Sequence, residues 1–289
     1  MDLQRQIYLA ETFQSLHRAN EMFVLPNAWN GGSAVVFEKQ GFKAIGTTSA
    51  GIAYAMGYAD GEQITIDDLC YVTKQMTSRV GLPVSVDMEL GYSSHIEGIK
   101  RNVARIIEAG AVGINIEDGY PSVNGRNARL EDLSRQIEVI EAIREVKTDL
   151  GIPFVINART CAYWLKIGVE SSRLGLAIER GNAFANAGAD CVFIPGALSE
   201  DIVKELVEGI DVPLNTIANP AFHDFERLNE IGVRRLSIGS GAVRAVFAAL
   251  MGVSESLFVD GDIKPMLNHE LTYDAANLFF RKLRSFQGR

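Results

Sequence analysis

A (β/α)8 barrel with extra C-terminal helices is the fold this sequence predicts, on three observations. Eight short β-rich runs recur along the chain, stretches of helical periodicity separate them, and the runs are near-continuously apolar, as parallel strands covered on both faces are. An open doubly wound sheet is the competing architecture, and no Gly-x-Gly-x-x-Gly follows the first run to support it.

The elements follow in order. Residues 3–19 place Leu3, Ile7, Ala10, Phe13 and Leu16 at helical spacing, which predicts an amphipathic helix lying against something larger. The β-rich runs cover 22–25, 43–48, 82–87, 112–117, 153–158, 190–195, 212–217 and 234–238. Helical patterns occupy 99–109, 133–146, 174–187 and 202–207, with Gly110, Gly188 and Gly232 where helix C-caps belong. After residue 240 the pattern is helical only, over 241–251 and roughly 267–283. No Pro/Gly/Ser-rich linker cuts the chain, so one barrel domain over 1–289 is expected, its core about 20–250 and its C-terminal helices about 241–289.

With 289 residues, 47% hydrophobic and 22% charged, the chain can bury a large core. The net charge of −8 and the absence of any Lys/Arg block argue against a nucleic-acid or anionic-membrane partner. Cys70, Cys161 and Cys191 are odd in number and lack metal-site spacing, which fits neither a disulfide framework nor a zinc site. The N-terminus lacks a basic segment leading into an apolar one, and no uninterrupted apolar run is long enough to span a bilayer. A cytoplasmic protein is therefore expected.

In barrels of this kind, chemistry sits at the C-terminal ends of the strands. Those ends carry Asn27, Thr48-Ser49-Ala50-Gly51, Asp87 with Glu89, Asn115 with Glu117 and Asp118, Asn157 with Arg159, Asn215 and Ser240. Asp87 and Glu89 are two residues apart on an extended run and point the same way. With Glu117 on the next strand they bring a charge of about −3, suited to Mg²⁺, or Mn²⁺ in its place, that keeps several waters. Arg159 offers a fork for a carboxylate, with an ion pair to Glu117 or Glu89 as the competing use. Residues 47–51 read as a turn whose successive N–H groups cradle a second anionic oxygen. Metal, anion cradle and arginine together describe a site for a small 2-oxo acid, where the cation polarises the substrate oxygens and stabilises an enolate.

The succession Leu25-Pro26-Asn27-Ala28-Trp29, Thr47-Thr48-Ser49-Ala50-Gly51, Asp87-Met88-Glu89-Leu90-Gly91-Tyr92, Gly113-Ile114-Asn115-Ile116-Glu117-Asp118-Gly119, Ile156-Asn157-Ala158-Arg159-Thr160, Gly188-Ala189-Asp190 and Gly232-Val233-Arg234-Arg235-Leu236-Ser237 resembles the isocitrate lyase/phosphoenolpyruvate mutase superfamily, nearest its phosphonomutase-like branch. The resemblance implies a Mg²⁺-dependent barrel acting on a 2-oxo (di)carboxylic acid at the bond to C3, assembled as a homotetramer, a dimer of dimers that exchange C-terminal helices. It also implies residue roles. Asp87 stands nearest the metal, with Glu89 and Glu117 joined to it through water; Ser49, Ala50, Gly51, Asp87, Arg159 and Asn215 bind substrate; Asp60, Glu117 and Arg159 are catalytic.

The departures are specific. Lyases of the superfamily carry a cysteine motif on the loop after strand four, whereas residues 119–129 here contain no cysteine. Mutases and phosphonopyruvate hydrolases carry Lys-x-Asn-Ser there, whereas this loop has no lysine and offers Asn124, Arg126, Asn127 and Arg129. The usual Asp after Ala-Arg-Thr is Cys161, and the Pro-Glu pair at strand six is Pro195-Gly196. A C–C lyase or decarboxylase leads; P–C chemistry and an oxo-acid-binding barrel without catalysis are the alternatives. A Schiff-base aldolase lacks a lysine at a strand mouth, since Lys43 begins its run and Lys166 lies past Arg159. His17, His95, His223 and His269 form no triad spacing, and Tyr120 with the loop arginines reads as a closing lid.

Overall fold

The structure, a computed structural model, describes residues 2–123 and 127–281, and the chain divides into two units, Met1–Gly239 and Ser240–Arg289.

The first unit is the barrel. Its strands are β1 (Phe23–Leu25), β2 (Asn27–Ala28), β3 (Ile45–Thr47), β4 (Val84–Asp87), β5 (Gly113–Glu117), β6 (Gly119–Tyr120), β7 (Arg129–Leu130), β8 (Val155–Arg159), β9 (Cys191–Phe193), β10 (Leu214–Ile217) and β11 (Arg235–Ser237). Nine of them form a parallel sheet in the order β1-β11-β10-β9-β8-β5-β4-β3-β2, while β6 and β7 make a separate antiparallel pair. Because β1 and β2 are halves of one stave interrupted at Pro26, the sheet comes round on itself as eight staves. Proline has no N–H to give the ladder, and Asn27 serves instead. Its Nδ2 donates to Thr47 O at 2.7 Å, and its Oδ1 accepts from Ile238 N and Gly239 N, both at 2.9 Å.

All eight predicted runs contain strands, each starting later than predicted, and β8 runs one residue past the predicted end to Arg159. Helices separate them as expected, and those over Glu170–Ala187 and Phe225–Ile231 stop at Gly188 and Gly232 in the left-handed conformation that glycine favours. The hairpin β6–β7 is absent from the sequence reading, because two-residue strands leave no periodic pattern.

The N-terminal helix Leu3–Arg18 buries Leu9, Ala10, Phe13 and His17. Phe13, fully buried, reaches the first residue of β5, so that a Cβ on Gly113 would meet Phe13 Cε1 at 2.6 Å and Ser85 Oγ at 3.0 Å. A side chain there must lift the helix off the barrel or push β4 aside. Gly113→Ala is expected to cost about 1–3 kcal/mol, the usual range for overpacking, read as a lower urea midpoint; an unchanged midpoint would show that Phe13 is not a fixed part of the floor.

The second unit is helical over its described residues: Gly241–Glu255, a π-helical turn Ser256–Asp260, then Lys264–Leu267 and Tyr273–Phe280. The single helix expected over 267–283 is broken, with Thr272 capping a fresh start through Ala275 N, and residues 282 and 283 lie outside the described residues. The stretch Gly241–Asp260, mean hydropathy 1.6, is long and apolar enough by length and composition to cross a membrane, although it is not an uninterrupted apolar run. Arg244 and Glu255 interrupt it, so it does not stand out as one apolar block.

Candidate active site

A cavity of about 840 Å³ opens at the C-terminal ends of the strands, and Ser49, Asp60, Glu62, Glu89, Glu117 and Arg159 line its polar side. Each is placed by the end of a strand or by the loop that follows. Thr47 Oγ1 accepts Asp87 N at 2.8 Å and Ser49 N donates to Asp87 Oδ2 at 3.4 Å, which locks the ends of β3 and β4 together. Glu117 and Arg159 are opposite each other in the β5–β8 register and form an ion pair at 2.7 Å. The competing use foreseen for Arg159 is thus present. Its Nε is left without an acceptor.

The segment expected as an anion-cradling turn is the first turn of the helix Ser49–Ala55, capped by Thr48. Gly51 N donates to Thr48 Oγ1 and Ser49 N to Asp87, so among the described residues Ala50 N is the free donor of the three. Asp87, Ala50 and Gly51 are not among the residues that line this cavity, but Asp87 and Ala50 each keep 8% exposure beside Ser49, which is. Asn215, fully buried, accepts from Ser237 Oγ at 3.1 Å and stands opposite Arg235 in the ladder; the structure does not bring it to the cavity. His95 precedes the helix Ile96–Glu108. Asn127 and Arg129 line the cavity, and Asn124 and Arg126 lie outside the described residues.

Two features escape sequence reasoning. One is a clasp between the loop carrying Asp60 and the loop after β4. Glu62 N donates to Glu89 Oε2 at 2.8 Å, Leu90 N and Tyr92 N donate to Glu62 Oε1 at 3.1 and 2.8 Å, and Tyr92 OH donates to Glu89 Oε1 at 3.0 Å. Glu62, Glu89 and Tyr92 all sit at positive φ (51°, 48° and 57°), a concentration of unfavourable backbone that the clasp holds in place. The other is a polar floor beneath Asp87. Asn115 Oδ1 accepts from Asn157 Nδ2 at 2.7 Å and from Arg235 Nη2 at 3.2 Å, and Arg235 is fully buried with Nη1 unpartnered. Burial lowers its pKa to about 10. The available signal is strand alternation, which turns Arg235 and Ser237 to the same face.

The mouth is electrostatically crowded. Burial, then the charges of Asp87 and Asp60, raise the Glu89 carboxyl to about 8. Burial raises Glu117 to about 7 against the pull of Arg159, and burial followed by Asp87 raises Asp60. Burial also pushes the Cys161 thiol well up; Cys161 Sγ lies 3.8 Å from Glu117 Oε2, a protonated packing neighbour rather than a thiolate.

Between the unfolded value near 4.5 and about 8, folded Glu89 holds a proton that the unfolded chain has released, so this group makes stability fall as pH rises. Glu117 acts in the same sense up to about 7. Melting in EDTA is therefore expected to show a falling Tm from about pH 5 to about pH 8, with added Mg²⁺ raising Tm more at the upper end. A Tm that climbs with pH across that window would contradict the crowding.

Among the described residues, no three His, Cys, Asp or Glu side chains stand close enough to hold a metal directly. A hydrated divalent cation fits nonetheless. Asp87 Oδ1 is buried without a hydrogen-bond partner, and the raised carboxyls of Asp60, Glu89 and Glu117 need a neutralising charge. Asp87 would hold such an ion directly, with Glu89 and Glu117 reaching it through water.

Fold and mouth together define a (β/α)8 barrel with a carboxylate-lined site at its C-terminal end. The model of the phosphoenolpyruvate phosphomutase family matches residues 13–258, and the chain belongs to that family, within the isocitrate lyase/phosphoenolpyruvate mutase superfamily. It is 35% identical over 229 residues to an uncharacterized protein of Mycobacterium tuberculosis strain H37Rv, covering 79% of this chain and 82% of that one. It is 32% identical over 190 residues to the 2-methylisocitrate lyase of Escherichia coli K12, covering 64% and 61% respectively. A provisionally assigned lyase/mutase from Burkholderia cenocepacia J2315 superposes with a TM-score of 0.87 at 28% identity, over 96% of this chain and 97% of that one.

Proposed function

We propose that this protein is a Mg²⁺-dependent enzyme that makes or breaks the bond to C3 of a small 2-oxo (di)carboxylic acid through an enolate, in the manner of a lyase or decarboxylase. The observation that carries the reading is the gathering of Ser49, Asp60, Glu89, Glu117 and Arg159 around one cavity at the strand ends. It is supported by membership of a family whose named relatives include 2-methylisocitrate lyase and 2,3-dimethylmalate lyase.

Arg159 supplies two parallel N–H bonds to the substrate carboxylate, a geometry a lysine cannot reproduce. Ala50 N, at the positive end of a helix, donates to a substrate oxygen as negative charge grows there. Glu117, its carboxyl raised to about 7, exchanges protons with the reacting carbon or its leaving group near neutral pH, and Asp60, raised by burial, stands as its partner in that exchange. When bound, the cation supplies Lewis-acid polarisation of the 2-oxo and carboxylate oxygens. Tyr120, whose OH donates to Glu131 Oε2 at 2.8 Å, and Arg129 form a wall that excludes water from the enolate.

The family's description favours P–C chemistry as a second reading, so the test is a panel of oxaloacetate, phosphonopyruvate, methylisocitrate and 2,3-dimethylmalate with and without Mg²⁺. Cleavage leaves pyruvate in every case and the co-product distinguishes them: carbon dioxide, phosphate, succinate and propionate respectively, with phosphoenolpyruvate marking a mutase; turnover of none sets the proposal aside. The reading extends to a cytoplasmic homotetramer. Free Cys70, Cys161 and Cys191 fit a reducing compartment, and exposed Leu250, Met251, Phe258 and Leu278 of the C-terminal unit fit burial against a second copy.

A further inference from the structure

Away from the reacting end, the cavity wall changes character to Leu90, Tyr120, Pro121, Val123, Trp164 and Leu165. Trp164 is 54% exposed, and its ring centre lies 5.8 Å from Arg159 Cζ. The indole therefore stands beside the guanidinium assigned to the substrate carboxylate and forms part of the cavity lining. Leu165 is fixed next to it by a hydrogen bond from its N–H to Cys161 O at 2.8 Å. Cys161, 1% exposed, adds a buried thiol rather than a charged side chain to this wall.

The charges in the lining point the same way. Among the described residues its cations are Arg159, paired with Glu117, and Arg129, whose guanidinium lies 3.7 Å over the Tyr120 ring and 3.9 Å from Glu131 Oε1. Arg159 is already assigned to the carboxylate of the oxo-acid unit, Arg129 is turned onto Tyr120 and Glu131, and the remaining ionisable side chains of the described lining are acids or a thiol, so no further cation there favours an anionic tail. A cavity of about 840 Å³ is also in the range that accepts ligands of drug size, well beyond a C3 or C4 acid.

We infer that the substrate carries an apolar group beyond C3, an aryl or an alkyl chain of several carbons, which stacks on Trp164 and packs on Leu165. This rests on the oxo-acid reading of the same site and specifies its substrate class: a monocarboxylic 2-oxo unit with a hydrophobic tail, rather than a di- or tricarboxylate. Substituted oxamates separate the two, because they are unreactive and carry the tail on the nitrogen that stands in for C3. Calorimetry of the full chain with Mg²⁺ would compare oxamate, N-propyloxamate, N-benzyloxamate and N-(carboxymethyl)oxamate. The expected order is benzyl tightest, about tenfold or more above oxamate, with no gain from carboxymethyl, in keeping with the discrimination apolar pockets give. Trp164→Ala is expected to flatten the series and Trp164→Phe to keep part of the gain. Carboxymethyl binding tightest, benzyl binding no tighter than oxamate, or an undiminished benzyl gain in Trp164→Ala would each overturn the inference while leaving the oxo-acid reading in place. Failure of oxamate itself to bind would overturn both.

Discussion

Arg159→Ala is expected to lower kcat/KM by at least about a hundredfold, the scale of losing one preorganised electrostatic group at a reacting centre. The side chain is 14% exposed, ion-paired with Glu117, and keeps an unpartnered Nε. Under the proposed function its loss would remove the fork for the substrate carboxylate, and it also removes a charge that holds the Glu117 carboxyl down. Glu117 is already at about 7 by burial with Arg159 present, so its acid limb in the pH profile of kcat/KM is expected to move to higher pH in the variant. Arg159→Lys restores charge without the planar fork and is expected to recover little of the rate. Near-normal turnover in Arg159→Ala, with an unmoved pH profile, would remove the arginine from the site.

Asp87→Ala is expected to have a comparable effect on activity and an opposite one on the metal-free fold. Under the proposed function Asp87 is the direct ligand of the cation, so its loss is expected to lower kcat/KM by about a hundredfold or more. In EDTA, however, the variant is expected to melt above the parent, because the charge of Asp87 raises the carboxyls of Asp60, Glu89 and Glu117. Mg²⁺ stabilises the parent by mass action and leaves the variant unmoved. Two melting curves per protein, with and without Mg²⁺, test this; a variant that responds to Mg²⁺ as the parent does would show that Asp87 is not the ligand. A gain in stability bought by losing function is what a crowded site predicts.

The barrel is legible because each stave leaves an apolar run and each helix a 3.6-residue period, signals carried by neighbours in sequence. The acids of β4 and β5 and Arg159 are legible for the same reason, lying at the last residue of a strand or just past it. Asn215 shows the limit of that counting. Its strand continues to Ile217, so Asn215 lies two residues below the rim, facing Arg235. The Glu62–Glu89 clasp and the Arg235–Asn115 contact join residues 27 and 120 positions apart, and no local pattern announces such pairs. The anion-cradling turn misleads differently: Thr48 caps a helix there, and the cap consumes one of the donors the turn would have offered.

The split first stave carries a last consequence, for how the molecule comes apart. One carboxamide, on Asn27, bridges β3 to the Ile238–Gly239 segment at the point where Pro26 interrupts the ladder. Opening of the closed cylinder should therefore begin at this seam. Native-state hydrogen exchange would register it first at the amides of Ile238 and Gly239, whose protection depends on a side chain rather than on a neighbouring strand.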